Sequence, residues 1–566
     1  ARSLVPAERI GTRSAEQVLK AWQKLKRNVR SLHERICFRP LLAAVSTLSR
    51  DEVALSDQAA QDRLAALGYR DPRGAMRHIE ALTNGVSRRA EIQRHLMPVL
   101  LGWFAEGVDA DAGLLGFRIV SESLGTTSWY LRMLRDSPAA AERLCHILSS
   151  SRYITDLLED APTSITWLDK VADLQPLGAA ALKAEIASLL SRHDDSAEAM
   201  RAVRYLRRRE ILRIAMGDAL NLLGVQQVCT GLATVDECTI GAALALAERE
   251  EITAKEREEA AGIREIPEEE PENPLLTEIT VIAMGRLGGA ENGFGSDADV
   301  MFVHRPVGGA DEKEAQAQAN RIVNRLMQLI KQPVSPAIRA ERPLEVDADL
   351  RPEGKQGALV RSLDSYRAYY ERWAETWEFQ ALLRARPVAG SEDLGRAFVE
   401  LIDPYRYPRE FTVEQAQQVR RMKARVEHER MPHGADRTRQ LKLGRGGLSD
   451  VEWLVQLIQL QHAHKVEGLR TTSTLEALDA AVEANLVAAE DAEVLRDAWL
   501  LATKIRGGNV LRGVRQSDLL PTLRDALEAV ARWSGYTPGN ARQLEEDYLR
   551  VTRNARKVYE RLFFEG

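Results

Sequence analysis

The 566-residue sequence is poor in several residue types, and each scarcity excludes a class of protein. It has four cysteines, with no Cys-x-x-Cys pair and no zinc-site spacing among them, so neither a disulfide scaffold nor a zinc module is predicted. No apolar run approaches the ~18 residues that span a bilayer. The net charge is -5, so no global basic field points to nucleic acid. Reduced, structural cysteines and the lack of an apolar segment predict a cytoplasmic protein that binds neither membrane nor nucleic acid.

Aromatic residues are also scarce, at 5%, whereas Ala, Leu, Glu and Arg are abundant, which favours a mostly helical chain. The length predicts several domains. Helical periodicity, as in 15–36 and 196–223, dominates the front half, and the tail is helical again. The predicted order is a helical region (1–260), an acidic, proline-rich linker (255–274), an α/β or α+β nucleotidyltransferase domain (275–404) and a helical bundle (405–566).

Residues 275–404 differ in residue pattern from the rest of the chain, because runs of β-branched residues alternate there with segments of helical periodicity. This alternation within about 110 residues predicts an α/β or α+β domain inserted into a mostly helical protein. The predicted elements are strands at 277–285 and 298–304, a helix at 313–333, a strand at the centre of 342–360 and a helix at 364–388 that Pro387 ends.

The stretch GRLGGAENGFGSDADVMFVH (285–304) places Asp297 and Asp299 at the start of a predicted buried strand. Residues i and i+2 of a strand face the same side, so the two carboxylates lie about 7 Å apart at the backbone. Like charges at this spacing repel unless a cation lies between them, and a hard cation with oxygen ligands such as Mg²⁺ fits best. An Asp-rich turn is the plainer interpretation of the pair alone.

A third carboxylate would distinguish a phosphoryl-transfer site from a turn. LEVDADLRP (344–352) supplies Asp347, with Asp349 and Glu345 on the same strand face. Three acids would hold two metal ions, bind a triphosphate and activate an attacking hydroxyl for in-line displacement at phosphorus.

The sequence then resembles a known family. The pattern G-S-D-x-D followed by V-D-x-x-L-R-P resembles the polymerase-β-like nucleotidyltransferases. Four phrases in order, GRLGGAENGFGSDADVMF, VDADLRPEGKQGALV, ETWEFQALLRARPVAG and KLGRGGLSDVEW, resemble glutamine synthetase adenylyltransferase, a bifunctional family with two tandem units. The unit in this chain is similar to the carboxy-terminal, adenylylating unit of that family in three respects: the phrase GSDAD, the phrase ETWEFQALLRAR and its position after a helical stretch. The chain therefore resembles part of a longer enzyme.

The resemblance implies AMP transfer from ATP to a tyrosine of glutamine synthetase, in control of nitrogen metabolism, with Mg²⁺ as cofactor. Asp297, Asp299 and Asp347 match the family's metal carboxylates and catalytic residues, and Asp347 is placed to accept the tyrosine proton. The family pattern has Arg where this chain has Asp349, for which we expect an outer, structural role. The resemblance also implies regulation by glutamine and by the PII signalling protein, without identifying residues for either.

Further residues are candidates for nucleotide or phosphate contact, and each has a structural alternative. The glycines of the loop would let the backbone approach a triphosphate. Arg286 would reach a phosphate or lie in solvent, Ser296 would contact a phosphate or close a turn, and Arg351 would meet the triphosphate or brace the acids. The predicted nucleotide-binding residues are Gly285, Arg286, Gly288, Gly289, Gly295, Ser296 and Arg351.

Charged residues near the end of the unit form a second group of candidates. Glu378 and Arg386 are predicted to form a structural ion pair on one helix face, or Arg384 or Arg386 contacts phosphate or the synthetase. An aromatic stripe beside them is predicted to be core, with stacking on adenine as the alternative. KLGRGGLSD is interpreted as mainly structural, with Asp450 capping the helix and Lys442 a candidate ligand contact. The stripe consists of Tyr366, Tyr370, Trp373 and Trp377.

Three alternatives to these interpretations stay open from the sequence. The arginine run 207–209 is predicted to be a solvated helix face, or else to contact a phosphate or an acidic partner. The same acids would serve phosphorolytic removal of AMP from modified glutamine synthetase. A non-catalytic module that senses nucleotide or an effector is the alternative from another class, and the presence of all three acids argues against it.

Overall fold

A computed structural model describes residues 50–85, 87–125, 127–261, 274–513 and 517–565. The predicted helix 15–36, Cys37 and most of the predicted linker lie outside these residues. Two compact units divide the chain, one ending at Ser150 and one beginning at Ser151. The other three cysteines are buried and carry no disulfide.

The described part of the first unit is entirely helical. Its core includes Phe104 and Phe117, whose rings meet edge to face with centroids 5.8 Å apart. Side chains of Asp71 and Asp109 cap two of its helices by accepting backbone N–H bonds. The helices are α1 (Arg50–Leu67), α2 (Pro72–Thr83), α3 (Arg88–Ala105), α4 (Ala110–Leu124), α5 (Ser128–Asp136) and α6 (Pro138–Ser150).

Among the described residues of the second unit, four α-helices precede the sheet. One of them is long and apolar enough by length and composition to cross a membrane over Val225–Glu258, but 72% of its apolar window is buried inside the protein, as in a core helix. They are α7 (Arg152–Asp160), α8 (Ala179–Leu190), α9 (Ser196–Ala219) and α10 (Val225–Ala260).

The prediction that the arginine run on α9 is a solvated helix face is wrong. Arg208 is buried, with 3% of its surface exposed, and it donates to the backbone oxygen of Arg339. Arg207 pairs with Asp236 at 2.9 Å. Two long helices pack against each other here, and long arginine side chains reach partners on neighbouring elements that sequence spacing does not show.

A small mixed sheet forms the centre of the second unit. Its order is β3-β2-β1-β5, with β4 also beside β2. Strand β2 runs antiparallel to β1 and parallel to both β3 and β4. The inner strands are buried nearly throughout, because helices α10, α12 and α15 pack on the sheet. The elements are β1 (Thr277–Ala283), α11 (Gly285–Gly288), β2 (Ala298–Pro306), α12 (Glu312–Lys331), β3 (Val346–Asp347), β4 (Val360–Ser362), α13 (Leu363–Arg372), α14 (Thr376–Leu382), β5 (Arg386–Gly390) and α15 (Glu392–Arg406).

The predicted helix at 364–388 is not continuous. It breaks after Arg372, and Glu375 starts α14 in a capping box with Glu378. Trp373 lies at the break and is 64% exposed, so it is not core as predicted, whereas Tyr366 and Tyr370 are buried. The last residues form β5, an edge strand in which proline is tolerated because one side of an edge makes no ladder bonds.

The C-terminal part is helical, as predicted, so a mostly helical chain with a small mixed sheet is confirmed. Its core is built around Trp499, Tyr548 and Tyr559. Its helices are α16 (Val413–Arg430), α17 (Leu448–His462), α18 (Thr474–Glu483), α19 (Ala489–Arg512), α20 (Arg524–Trp533) and α21 (Ala541–Glu560).

Candidate functional site

Two of the predicted acids meet through strand pairing. In the parallel pair β2–β3, Asp299 lies opposite Asp347, and Ala298 donates its N–H to the oxygen of Glu345 at 2.8 Å. The side chains of opposed residues in neighbouring strands share one face of the sheet. Asp297 precedes β2 by one residue and lies on that same side. Residues about fifty positions apart in sequence are therefore brought to one end of the sheet.

The electrostatics of these acids show repulsion that protein cations only partly relieve. Burial, together with the nearby Asp347 carboxylate, raises the pKa of Asp299 to about 6 from 3.8. The pKa of Asp297 is also raised, first by partial burial and then by Glu345 and Asp347. The Lys442 ammonium acts in the opposite direction on both. A bound cation would remove this strain, because it favours the charged form of each acid.

The donor set fits one kind of metal better than another. Among the residues that the structure describes, no three His, Cys, Asp or Glu side chains are arranged to hold a metal ion by themselves. A zinc cage needs such a set of protein ligands. Mg²⁺ instead uses one or two carboxylates and completes its shell with water and substrate phosphates. Asp297, Asp299 and Asp347 supply oxygen ligands of the latter type.

The glycine loop owes part of its composition to close packing. Gly285 has φ +51°, and a Cβ there would lie 2.1 Å from Oδ2 of Asp299. A Cβ on Gly288 would lie 1.8 Å from the backbone oxygen of Arg384, and one on Gly289 would lie 2.1 Å from its Nη1. These glycines thus allow the loop to lie against the acid and against the turn that precedes β5. Whether Gly285, Gly288, Gly289 and Gly295 also contact a nucleotide stays a prediction.

Ser296 is held in a turn, which is the alternative weighed from the sequence. Its Oγ accepts the N–H of Gly293 at 2.9 Å, and its own N–H donates to the Gly293 oxygen at 3.1 Å. Its side chain is partly exposed beside Asp297. The turn therefore fixes the backbone just before the first acid.

Arg286 and Lys442 act on the acids from elements distant in sequence, and Arg506 lies near both of these cations. We call Arg286, Lys442 and Arg506 the cation cluster. Arg286 lies in α11, contacts Glu452 at 3.4 Å, and has a buried Nη1 with no hydrogen-bond partner among the described residues. Burial lowers the pKa of Lys442, and the nearby guanidinium groups of Arg286 and Arg506 lower it further. Burial and Arg286 likewise lower the pKa of Arg506. Mutual repulsion of this kind favours an anion as partner.

Arg506 was missed by sequence reasoning. It lies inside α19, in no recognisable motif, and pairs with Asp518 at 2.6 Å. Only the packing of the C-terminal helices carries it to Lys442. The sequence offers one signal for it: Arg506 is a charged residue between Ile505 and Gly508, which are buried in a long helix.

Other predicted contact residues have structural partners instead. Arg384 is buried and pairs with Glu291 at 2.8 Å, a residue that the sequence did not single out. Arg386 pairs with Glu237 rather than with Glu378. The predicted Glu378–Arg386 ion pair is wrong because the helix that would join them breaks. Glu378 accepts the N–H of Glu375 at 2.8 Å, as part of the capping box.

The loop after β3 is braced by its own charges. Arg351 donates to the backbone oxygens of Ala348 at 2.7 Å and of Gly357 at 3.2 Å, so it braces the loop itself, and its contact with a triphosphate stays a prediction. Asp349 pairs with Lys355 at 3.2 Å and lies 3.7 Å from Arg351. The backbone N–H of Asp349 donates to Asp347 at 2.7 Å. These contacts place the Asp349 side chain outside the acid cluster.

Asp450 does not cap α17 as predicted. Gly447 is the N-cap, and Asp450 accepts the N–H of Gly446 at 2.7 Å. Its carboxylate also receives Lys423 at 2.8 Å and Arg556 at 3.0 Å. We call Lys423, Asp450 and Arg556 the buried hub. Lys442 lies in the glycine turn, and the hub ties this turn to helices α16 and α21.

Comparison with known proteins gives the relationship of the chain. Residues 141–401 match a family model described as glutamate-ammonia ligase adenylyltransferase, and residues 420–563 match one described as GlnD PII-uridylyltransferase. Similar proteins named bifunctional glutamine synthetase adenylyltransferase/adenylyl-removing enzyme occur in Leifsonia xyli (48% identity over 97% of this chain and 52% of that protein) and Streptomyces avermitilis (48% over 96% and 54%). The protein of that name from Mycobacterium tuberculosis is 44% identical over 98% of this chain and 54% of its own length.

These matches confirm the resemblance seen in the sequence motifs. The names of the relatives describe nucleotidyltransferases, which is the enzyme class predicted. The chain spans about half the length of these curated relatives. Over residues 141–401 it is similar to the glutamate-ammonia ligase adenylyltransferase family.

Proposed function

We propose that this chain transfers AMP from ATP to a tyrosine of glutamine synthetase, with a nucleotidyltransferase site of polymerase-β type. The observation that carries the proposal is the opposition of Asp299 and Asp347 in β2 and β3, with Asp297 on the same face and the cation cluster beside them. Acids that repel each other next to cations that repel each other form a site for a metal-bound polyphosphate.

Each residue then has a role in the transfer. Asp297, Asp299 and Asp347 would hold Mg²⁺, which when bound neutralises charge on the phosphates. The cation cluster binds the β- and γ-phosphates, and Asp347 accepts the proton of the tyrosine hydroxyl. A bond forms between the phenolic oxygen and the α-phosphorus. The bond from that phosphorus to the bridging oxygen breaks, and pyrophosphate leaves with the electron pair.

Phosphorolytic removal of AMP from modified glutamine synthetase, in which phosphate takes up the AMP as ADP and the tyrosine hydroxyl is restored, is the second candidate function. The relatives' printed name includes adenylyl removal, and the same acids would position phosphate against the AMP–tyrosine bond. The match of residues 420–563 to a PII-uridylyltransferase model supports PII as a regulatory partner. Glutamine as an effector and a cytoplasmic location are further parts of this proposal.

Mass spectrometry of glutamine synthetase tests the proposal. The purified chain is mixed with ATP, Mg²⁺ and unmodified synthetase, beside an Asp297→Asn, Asp299→Asn double variant and an Asp349→Asn control. We expect one AMP per subunit on a tyrosine with the wild type and the control, and loss by the double variant. Transfer by the double variant would exclude the acid site.

A second assay separates the remaining candidates. If the wild type transfers nothing, AMP-modified synthetase is supplied with phosphate in place of ATP. Formation of ADP would then assign the removing activity to this chain. Failure of both assays, with glutamine and PII supplied in turn, would favour a non-catalytic regulatory module.

A further inference from the structure

A cavity of about 400 Å³ opens beside the first acid. It lies between helices α9 and α10 and the turn that leads into β2, entirely within the second unit. Neither the sequence motifs nor the comparisons assign it a ligand. Its lining includes Tyr153, Arg207, Ile211, Phe294, Asp297 and Glu345.

The cavity and the cation cluster are built from different residues. Asp297 lines the cavity, whereas Arg286, Lys442 and Arg506 are not part of its lining. If the cations bind the leaving pyrophosphate, in-line displacement brings the attacking oxygen from the opposite side of the α-phosphorus. A cavity that borders Asp297 and contains none of these cations is a candidate for that side.

We propose that this cavity receives the acceptor tyrosine side chain of the protein substrate. The inference rests on the proposed function, which it deepens by assigning the place where the phenol enters. The phenolic oxygen would reach the α-phosphorus past Asp297 and give its proton to Asp347, while pyrophosphate leaves toward the cation cluster.

The walls of the cavity suit an aromatic ring. Phe294 and Tyr153 are buried residues, and Ile211 adds an aliphatic surface. The guanidinium of Arg342 lies over the Tyr153 ring, 4.4 Å from its centroid. Arg207 donates to Asp236 at 2.9 Å and to the Arg342 oxygen at 2.8 Å. Side chains held in this way form a preorganised pocket, which lowers the entropic cost of ordering a ligand.

The rim of the cavity suits an uncharged group from a macromolecule. Asp297, Glu345 and Gly295 are exposed there, so the opening reaches the surface. Asp297 and Glu345 place two carboxylates at this opening. A phenol adds no charge to this rim, whereas a nucleotide bound there would bring its phosphates against two carboxylates.

Filling the cavity provides the test. Ile211→Trp adds volume inside it, and Val413→Trp, at a residue that is 67% exposed and outside the lining, is the matched control. Two quantities are measured: KM for unmodified glutamine synthetase, and Kd for ATP with Mg²⁺ by calorimetry. We expect Ile211→Trp to raise KM at least tenfold with Kd for ATP unchanged, and Val413→Trp to change neither.

Each other outcome overturns the inference. A raised Kd for ATP, alone or by the same factor as KM, would assign the cavity to the nucleoside, and unchanged values would show that it binds neither substrate. Ile211→Phe replaces the tryptophan variant if that variant fails to fold. Absence of transfer by the wild type would instead contradict the proposed function, so the two failures are distinguishable.

Discussion

Asp299 shows how a single residue can favour ligand binding while it lowers the stability of the protein without ligand. Its carboxylate lies on the backbone of Gly285, opposite another acid and partly out of water. The folded chain therefore holds a proton on this group more tightly than the unfolded chain does. Ionisation of this group lowers the free energy of unfolding progressively as pH rises from about 4 to the folded pKa of about 6, and by a constant amount above it.

Replacement of this acid should stabilise the protein in a pH-dependent way. The difference between 3.8 and about 6 corresponds to about 3 kcal/mol at most, and solvent screening reduces it to about 1–3 kcal/mol. We expect Asp299→Asn to raise the free energy of unfolding by this amount at pH 8 without Mg²⁺. The gain should shrink as pH falls from 6 toward 4, because the wild-type carboxyl is then protonated in the folded state. Urea unfolding between pH 5 and 8 measures it.

The control for this variant is Asp364→Asn, which removes a carboxylate with 90% of its side chain exposed. We expect a change within about 0.5 kcal/mol at every pH. An Asp299→Asn protein that is equally or less stable than the wild type at pH 8 would contradict the assigned electrostatics. Equal gains at pH 5 and 8 would point to packing rather than charge.

At the scale of elements, the sequence predicted those helices and strands whose formation depends on the local residue pattern. The alternation of apolar residues located β1, β2 and α12 to within a few residues, and the Asp297–Asp299 spacing located the acids. Strand β5 could not be predicted, because LLRARPV is compatible with a helix and becomes a strand only by pairing with the free edge of β1. Arg506 was equally hidden, since its role depends on where α19 packs.

The buried hub connects three elements, so its loss should be costly. Lys423 is 2% exposed and bonds Asp450, Ser449 and Glu427. Arg556 and the N–H of Gly446 still contact Asp450 when Lys423 is removed, so the cost is that of lost buried hydrogen bonds, about 1–3 kcal/mol, rather than that of an unpaired buried charge. We expect Lys423→Met to lower the free energy of unfolding by that amount, measured with denaturant, and to raise KM for ATP, because the turn that carries Lys442 loses an anchor.

The same helix supplies a control for the hub. Arg425 pairs with Glu429 at 2.9 Å, with both side chains more than half exposed. Exposed pairs of this kind contribute about 0.3–0.5 kcal/mol. Arg425→Ala should therefore change stability by no more than that and leave KM for ATP unaltered. If the two variants lose stability equally, the hub has no special role.

At the scale of the whole molecule, the sheet makes side-chain contacts with the helices that precede it in the chain. Composition predicted a boundary near the acidic linker, and that boundary stays a prediction. Within the second unit Arg204 of α9 bonds Glu341 at 2.6 Å, before β3, and Asp218 bonds Lys504 of the C-terminal helices at 2.5 Å. Glu237 of α10 likewise pairs with Arg386 in β5. Helices 152–260, the sheet and the bundle share one compact unit.

This arrangement predicts which fragments fold. Every candidate site residue and the proposed acceptor cavity lie within 151–566, so we expect that fragment to unfold in one cooperative transition and to bind ATP with the Kd of the full chain. Fragment 275–566 should fail to do so, because it lacks α10, whose apolar side packs on β5 and α12, and loses the partners of Arg386 and Glu341. Circular dichroism with thermal melting, and calorimetry with ATP, compare the two. Stable folding and ATP binding by 275–566 would show that the sheet and bundle need no support from the preceding helices, and would restore the boundary that composition predicted.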